Sequence, residues 1–289
     1  MKKMLLFAFI GLITFSCTLE FPEDQYQEEF GLPREKVIDI LVQQIAQYDK
    51  VDSEGINMGA ITSLQYARFE LLKEMATQDE LLKFTQHYSP VVMSYAYWAL
   101  MDNDFPRMDT LFQQALNTEA YAKYHSGCTI MGDFVYHNLY TRYFYKVAPI
   151  ENKKYVTNIY DRPLWVMDSL VLYHDNVEQF IKSWVLENRK FSKEHLPRIR
   201  HLAFKELNFD AIQYLHHHHF AEHQEAIKQA ALRYMQEGKI NNYDHIFDFL
   251  LPFREPYINK ALLAKYHTFE DDSWAKEDLK EILKKYKLL

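Results

Sequence analysis

Glycine is scarce in this chain, at 7 of 289 residues, and proline stands at 9. Sheet-rich folds and phosphate-cradling loops need many positive-φ turns, so this scarcity points to helices joined by short loops. Cysteine is confined to Cys17 and Cys128. No G-x-G-x-x-G, P-loop or G-x-S-x-G string occurs, which removes the usual signals of dinucleotide binding, nucleoside triphosphate binding and serine hydrolysis. Positive charge is also in deficit. The formal net charge is −7, a balance that repels a phosphate backbone, so nucleic acid is not an expected partner.

What is abundant is aromatic side chain, with 21 Tyr and 20 Phe. Large rings fill broad helix–helix contacts, and Tyr can keep its hydroxyl wet at a rim. A chain of this length buries a sizeable core, as one elongated stack or two small domains.

Residues 79–117 organise the rest. Asp79 to Phe84 opens a short apolar-periodic helix, Ser89-Pro90 interrupts it, and 91–101 resumes with Val91, Val92, Tyr95, Ala96, Ala99 and Leu100 on one face. Thr77-Gln78-Asp79-Glu80 supplies the N-terminal capping signal. Apolar faces this wide need partners on both sides, so such hairpins stack on copies of themselves. Further helices are predicted over 35–49, 62–75, 108–116, 134–145, twice within 161–188, and from 276 to the end, with a Gly-containing loop over 52–59. Between Tyr121 and Trp165 the regularity weakens, and Ser126-Gly127-Cys128 and Gly132 interrupt the helical flow.

The apolar spacing that follows Pro90 recurs after Pro197, Glu225 and Pro256, and these last three starts lie 28 and 31 residues apart. That is the range of α-solenoid repeats. On this spacing, with Ser89-Pro90-Val91-Val92 through Tyr97-Trp98-Ala99-Leu100 as its strongest match, the chain resembles HEAT-like repeat proteins. The resemblance implies an all-α solenoid over 35–289. An irregular helical bundle is the alternative architecture.

The first 16 residues read as a targeting segment. Lys2-Lys3 precede an apolar run from Met4 to Phe15, too short to cross a bilayer and flanked as a signal peptide is. With Ser16-Cys17 following, the segment resembles a bacterial lipoprotein signal, which implies cleavage before Cys17 and a diacylglyceryl thioether on it. Thr14 and Phe15 depart from the family's usual residues. Cleavage removes two lysines and no acid, leaving 31 basic against 40 acidic side chains, and leaves Cys128 without a disulfide partner. Residues 17–34 then form an acidic tether, with Glu20, Glu23, Asp24, Glu28 and Glu29. The expected location is the bacterial outer membrane, lipid-anchored and facing the periplasm or the cell surface.

Two strings invite chemistry. His219, Glu222 and His223 match H-x-x-E-H, resembling inverted zinc peptidases, in which two histidines one helical turn apart hold Zn²⁺ and the glutamate activates water. The match falls where the repeat phase places a turn between helices, and no second motif offers a carboxylate ligand. Tyr136, Tyr140, Tyr143 and Phe144 share a helical stripe, read as core or as the lining of a groove for peptide or glycan. Cys128 is a lone thiol, and His125 and His137 do not align with it on one helix. The combined expectation is a membrane-anchored, non-catalytic protein-binding scaffold without a cofactor. A zinc hydrolase and a glycan-binding lipoprotein are the competing classes.

Overall fold

The computed structural model describes residues 31–57, 61–148, 161–237, 243–270 and 273–289. The targeting segment, Cys17 and most of the acidic tether therefore lie outside the described residues. Within 35–289, the span read as one helical domain, the described residues form two compact units. Unit 1 runs to Phe105 and adds Tyr121–Phe134; unit 2 comprises Pro106–Ala120 and Val135–Leu289. The chain is predominantly helical, as its periodicity predicts, and departs from all-α in one four-stranded sheet in unit 1.

Unit 1 contains α1 (Arg34–Gln47), α2 (Leu64–Met75), α3 (Gln78–Phe84) and α4 (Pro90–Asp102). The predicted hairpin is α3 and α4, which pack together. Pro90 sits in the first turn of α4, where its missing N–H costs nothing. Every residue from Val91 to Met101 is buried. A helix apolar all round is a core helix, so α4 is the axis of the unit, touched by α1, α2, α3 and the sheet.

The capping signal before α3 is realised in full. Thr77 Oγ1 accepts from Glu80 N at 3.3 Å and Glu80 Oε2 accepts from Thr77 N at 2.8 Å. The same carboxylate receives Arg34 Nη2 at 2.5 Å, joining the start of α1 to the start of α3. The Arg34 hydrogen bond leads the Thr77 contacts in pulling Glu80 down to about 2. A carboxyl depressed in the folded state adds stability above its unfolded value near 4.3, lost as pH falls toward the folded one. Glu80→Gln is accordingly expected to lower stability by about 1 kcal/mol at neutral pH. Urea midpoints of variant and parent should converge as pH approaches 2; a gap that persists there contradicts the assignment.

The sheet has the order β2-β1-β3-β4, formed by β1 (Lys50–Ile56), β2 (Ile61–Thr62), β3 (Tyr121–Gly127) and β4 (Thr129–Phe134). β1 pairs antiparallel with β2 and parallel with β3, and β3 pairs antiparallel with β4. Two predictions are corrected here. The loop expected over 52–59 is largely strand β1, and the interruption at Ser126-Gly127-Cys128 is a β-hairpin. Ser126 opposes Thr129, leaving Gly127 and Cys128 as a two-residue loop in which Gly127 takes φ +54°. That is the conformation a tight hairpin asks of its first loop residue.

Gly132 lies under the ring of Tyr121, which meets Phe134 edge-on at 5.3 Å. A Cβ at position 132 would collide with that ring. Gly132→Ala is expected to displace Tyr121 and cost about 1 kcal/mol, visible as loss of the Tyr121–Phe134 contact in nuclear Overhauser spectra. An unchanged contact would contradict the packing.

Unit 2 contains α5 (Met108–Thr118), α6 (Val135–Val147), α7 (Arg162–Tyr173), α8 (Gln179–Asn188), α9 (Leu196–Phe204), α10 (Phe209–Glu237), α11 (Asp244–Leu250), α12 (Pro256–Tyr266) and α13 (Trp274–Lys285). α10 is two helices in one run. His219 (φ −140°, ψ 26°) and His223 (φ −134°, ψ 16°) leave the helical region, at the place where the repeat phase sets a turn. Each substantial helix–helix contact in this unit joins elements one or two places apart in the chain: α5 with α6 and α7, α7 with α8 and α9, α8 with α10, and so on to α11 and α12 with α13. No helix of the described residues is long and apolar enough to cross a membrane.

Candidate functional site

Asp168 lies on the apolar face of α7, in phase with Leu164, Val171 and Leu172, and is fully buried. Arg189, directly after α8, donates from Nε to Asp168 Oδ2 at 2.7 Å, and the Tyr140 hydroxyl on α6 donates to Oδ1 at 2.7 Å. The guanidinium carbon stands 5.1 Å from the ring of Trp165. Burial pushes the Asp168 carboxyl up to about 6, against the opposing pull of Arg189 and the Tyr140 hydroxyl. Burial likewise raises the Tyr140 phenol well above its ordinary value. Asp168, Arg189 and Tyr140 are each 1 % exposed or less, so no substrate reaches them. The arrangement clamps α6, α7 and α8 together. Its one trace in the sequence is a carboxylate standing inside an apolar stripe.

Unit 1 buries a second polar group. Ser63 Oγ donates to Asp52 Oδ2 at 2.5 Å, and His125 Nδ1 stands 3.3 Å from Asp52 Oδ1. The residue types are those of a hydrolytic triad, but their order is not. Activating a hydroxyl requires the imidazole between serine and carboxylate, whereas here the carboxylate is in the middle. Ser63 Oγ is also occupied as the N-cap of α2, accepting from Gln65 N and Tyr66 N at 3.1 and 3.2 Å. The Tyr95 hydroxyl accepts from Asp52 N at 2.8 Å and donates to Asp52 O at 2.9 Å, fixing β1 to α4. These contacts join β1, β3, α2 and α4; they carry no nucleophile.

Of the residues singled out from sequence, Tyr136, Tyr140, Tyr143 and Phe144 share one face of α6, and all four are buried. The groove reading of this stripe is corrected: its rings are core. Their hydroxyls serve contacts between elements, Tyr136 accepting from Glu178 N at 3.2 Å and Tyr143 donating to Asp161, while Phe144 meets Trp184 edge-on at 5.4 Å.

His219 Nδ1 lies 3.7 Å from Glu222 Oε1, and Glu222 Oε2 lies 4.0 Å from His223 Nε2. The two backbone breaks fall on the two histidines, so the continuous helical turn that would align them as zinc ligands is not formed. In the same run His216 packs among Phe220, Phe249 and Phe253, and burial lowers the pKa of its imidazole. Cys128 is an exposed free thiol in the β3–β4 turn. Comparison of the chain with protein-family models, with curated proteins and with solved structures finds no match.

Proposed function

We propose that the chain is a lipid-anchored, non-catalytic protein-binding scaffold of the bacterial outer membrane, with unit 2 built as a HEAT-like stack of helical hairpins. The observation that carries the stack is the order of packing, in which helices meet neighbours one or two places along the chain. Nearest-neighbour packing is what separates a solenoid from a bundle, where elements distant in sequence also meet. The backbone breaks within α10, at the phase where one repeat should give way to the next, support the same reading. A stack of this kind offers an extended, rigid surface that binds a protein partner with little ordering cost.

The anchor rests on the sequence. Lys2-Lys3, the apolar run to Phe15 and Ser16-Cys17 match the signal of an acylated Cys17, and the acidic tether runs from residue 18 to the start of α1 at Arg34. At roughly 0.8 kcal/mol per buried methylene, several acyl chains make attachment effectively permanent. Labelling cells with radioactive palmitate tests this directly. Wild type is expected to be labelled and to sediment with membranes, and Cys17→Ala to be unlabelled; equal labelling contradicts the anchor. Crosslinking in living cells tests the scaffold role. Discrete protein adducts are expected on wild type, and adducts to lipid or to itself alone contradict it.

A further inference from the structure

A cavity of ≈ 580 Å³ lies near the end of unit 2, between the 3₁₀ turn Leu251–Phe253 with the start of α12 and the turn that follows α13. Arg254, Lys285 and Lys287 line it, and among the described residues no carboxylate does. We propose that this cavity binds the phosphate group of a small phosphate ester or phosphodiester.

Three observations carry the proposal. The first is charge. In a chain of net charge −7, several cations near the cavity have acids beside them: Lys280 with Glu277 at 3.2 Å, Lys284 with Glu281 at 2.8 Å, and Lys228 with Glu255. Lys285 and Lys287 follow on the same stretch, yet among the described residues neither they nor Arg254 forms an ion pair with an acid. Lysines at a helix C-terminus do complement its dipole, but that does not account for Arg254, which belongs to a separate turn.

The second is backbone conformation. Arg254 (φ 54°) and Lys287 (φ 59°) both occupy the left-handed region. Lys287 closes a Schellman turn in which Leu288 N donates to Leu283 O and Lys287 N to Lys284 O. Glycine is the favoured residue at that position, because an L side chain there is strained. Two cationic side chains are held where glycine would fit best, and strain of this kind concentrates at binding sites.

The third is composition. Asn259 and Tyr286 add neutral hydrogen-bonding groups, and Leu288 adds an apolar side chain for the organic remainder of the ligand. A guanidinium fork with two ammonium groups matches the charge and the several acceptor oxygens of a phosphate. The volume falls in the range of small-molecule sites.

The test uses full-length Cys17→Ala protein in neutral detergent, so that no acyl anchor contributes. Inorganic phosphate is titrated by calorimetry at low ionic strength, and flotation is measured with phosphatidylcholine vesicles with and without phosphatidylglycerol. In the Arg254→Gly/Lys287→Gly variant, binding is expected to fall by at least about tenfold while the melting temperature holds or rises, because glycine relieves both strained positions. Lys280→Gln/Lys284→Gln, on the paired lysines, is expected to retain binding. Saturable phosphate binding lost in the glycine variant supports the site with a soluble phosphate ester as ligand. Flotation that requires phosphatidylglycerol and is lost in the same variant supports it with a lipid headgroup. Equal binding by variant and parent in both arms, or no binding in either, overturns the proposal.

Discussion

Asp168→Ala is expected to destabilise unit 2 by about 3–5 kcal/mol, because it removes the buried carboxylate that the guanidinium of Arg189 bonds in the core. Arg189 is 1 % exposed and Asp168 0 %, so neither charge recovers water when the other is removed. The pair is nevertheless not a source of net stability. Burial raises the Asp168 carboxyl to about 6, above its unfolded value near 3.9. Ionising it therefore disfavours the folded state. The stability this group lends is fully present below about pH 4 and is lost as pH rises through about 6. Two results follow for urea denaturation. The double replacement Asp168→Leu/Arg189→Met should recover most of the loss seen in Asp168→Ala. At pH 7 it should match or exceed wild type. A single replacement costing less than about 1 kcal/mol would mean that the clamp does not hold α6, α7 and α8 together.

The second large effect is expected at Tyr95. Its hydroxyl satisfies both the N–H and the C=O of Asp52, and Tyr95 is 0 % exposed. Tyr95→Phe keeps the ring, its stacking on Phe69 at 4.9 Å and its edge contact with Trp98 at 5.5 Å. It strands a buried donor and a buried acceptor, each worth roughly 1–3 kcal/mol when unpaired. A loss on the order of 2–4 kcal/mol is expected, with faster hydrogen exchange at the Asp52 amide. The control is Tyr88→Phe, at a residue 85 % exposed, where a change within about 0.5 kcal/mol is expected. Equal effects at the two positions would contradict the role given to the Tyr95 hydroxyl.

What could be read from the sequence was local. The capping box at Thr77 and Glu80, the proline that opens α4 and the apolar phase of α1, α2, α5 and α6 are each set by residues within a few positions of one another. The periodicity located these helices to within a few residues. The sheet was hidden because its pairing is not local. β1 finds its parallel partner in β3, beyond three intervening α-helices of unit 1 and α5 of unit 2. Its sequence, Lys-Val-Asp-Ser-Glu-Gly-Ile, buries only Val51 and Asp52 and so lacks the alternation that marks a half-buried strand. Ser126-Gly127 was visible as an interruption, and only the flanking pairing identifies it as a hairpin. The buried α6 stripe illustrates a different limit. Periodicity shows that Tyr136, Tyr140, Tyr143 and Phe144 share a face, but not whether that face meets solvent or other helices. The cations of the cavity are not legible in the sequence, because Arg254 and Lys287 come from separate turns, each ordinary in its own sequence neighbourhood.

Native-state hydrogen exchange across unit 2, measured by mass spectrometry at increasing sub-denaturing urea, tests the stacked architecture most directly. The expected result is block-wise opening, with α12 and α13 exchanging at lower free energy than α7 to α9 and neighbouring hairpins differing in steps. Amides from α5 to α13 all opening in one global event, at one free energy, would contradict a stack of nearest-neighbour hairpins.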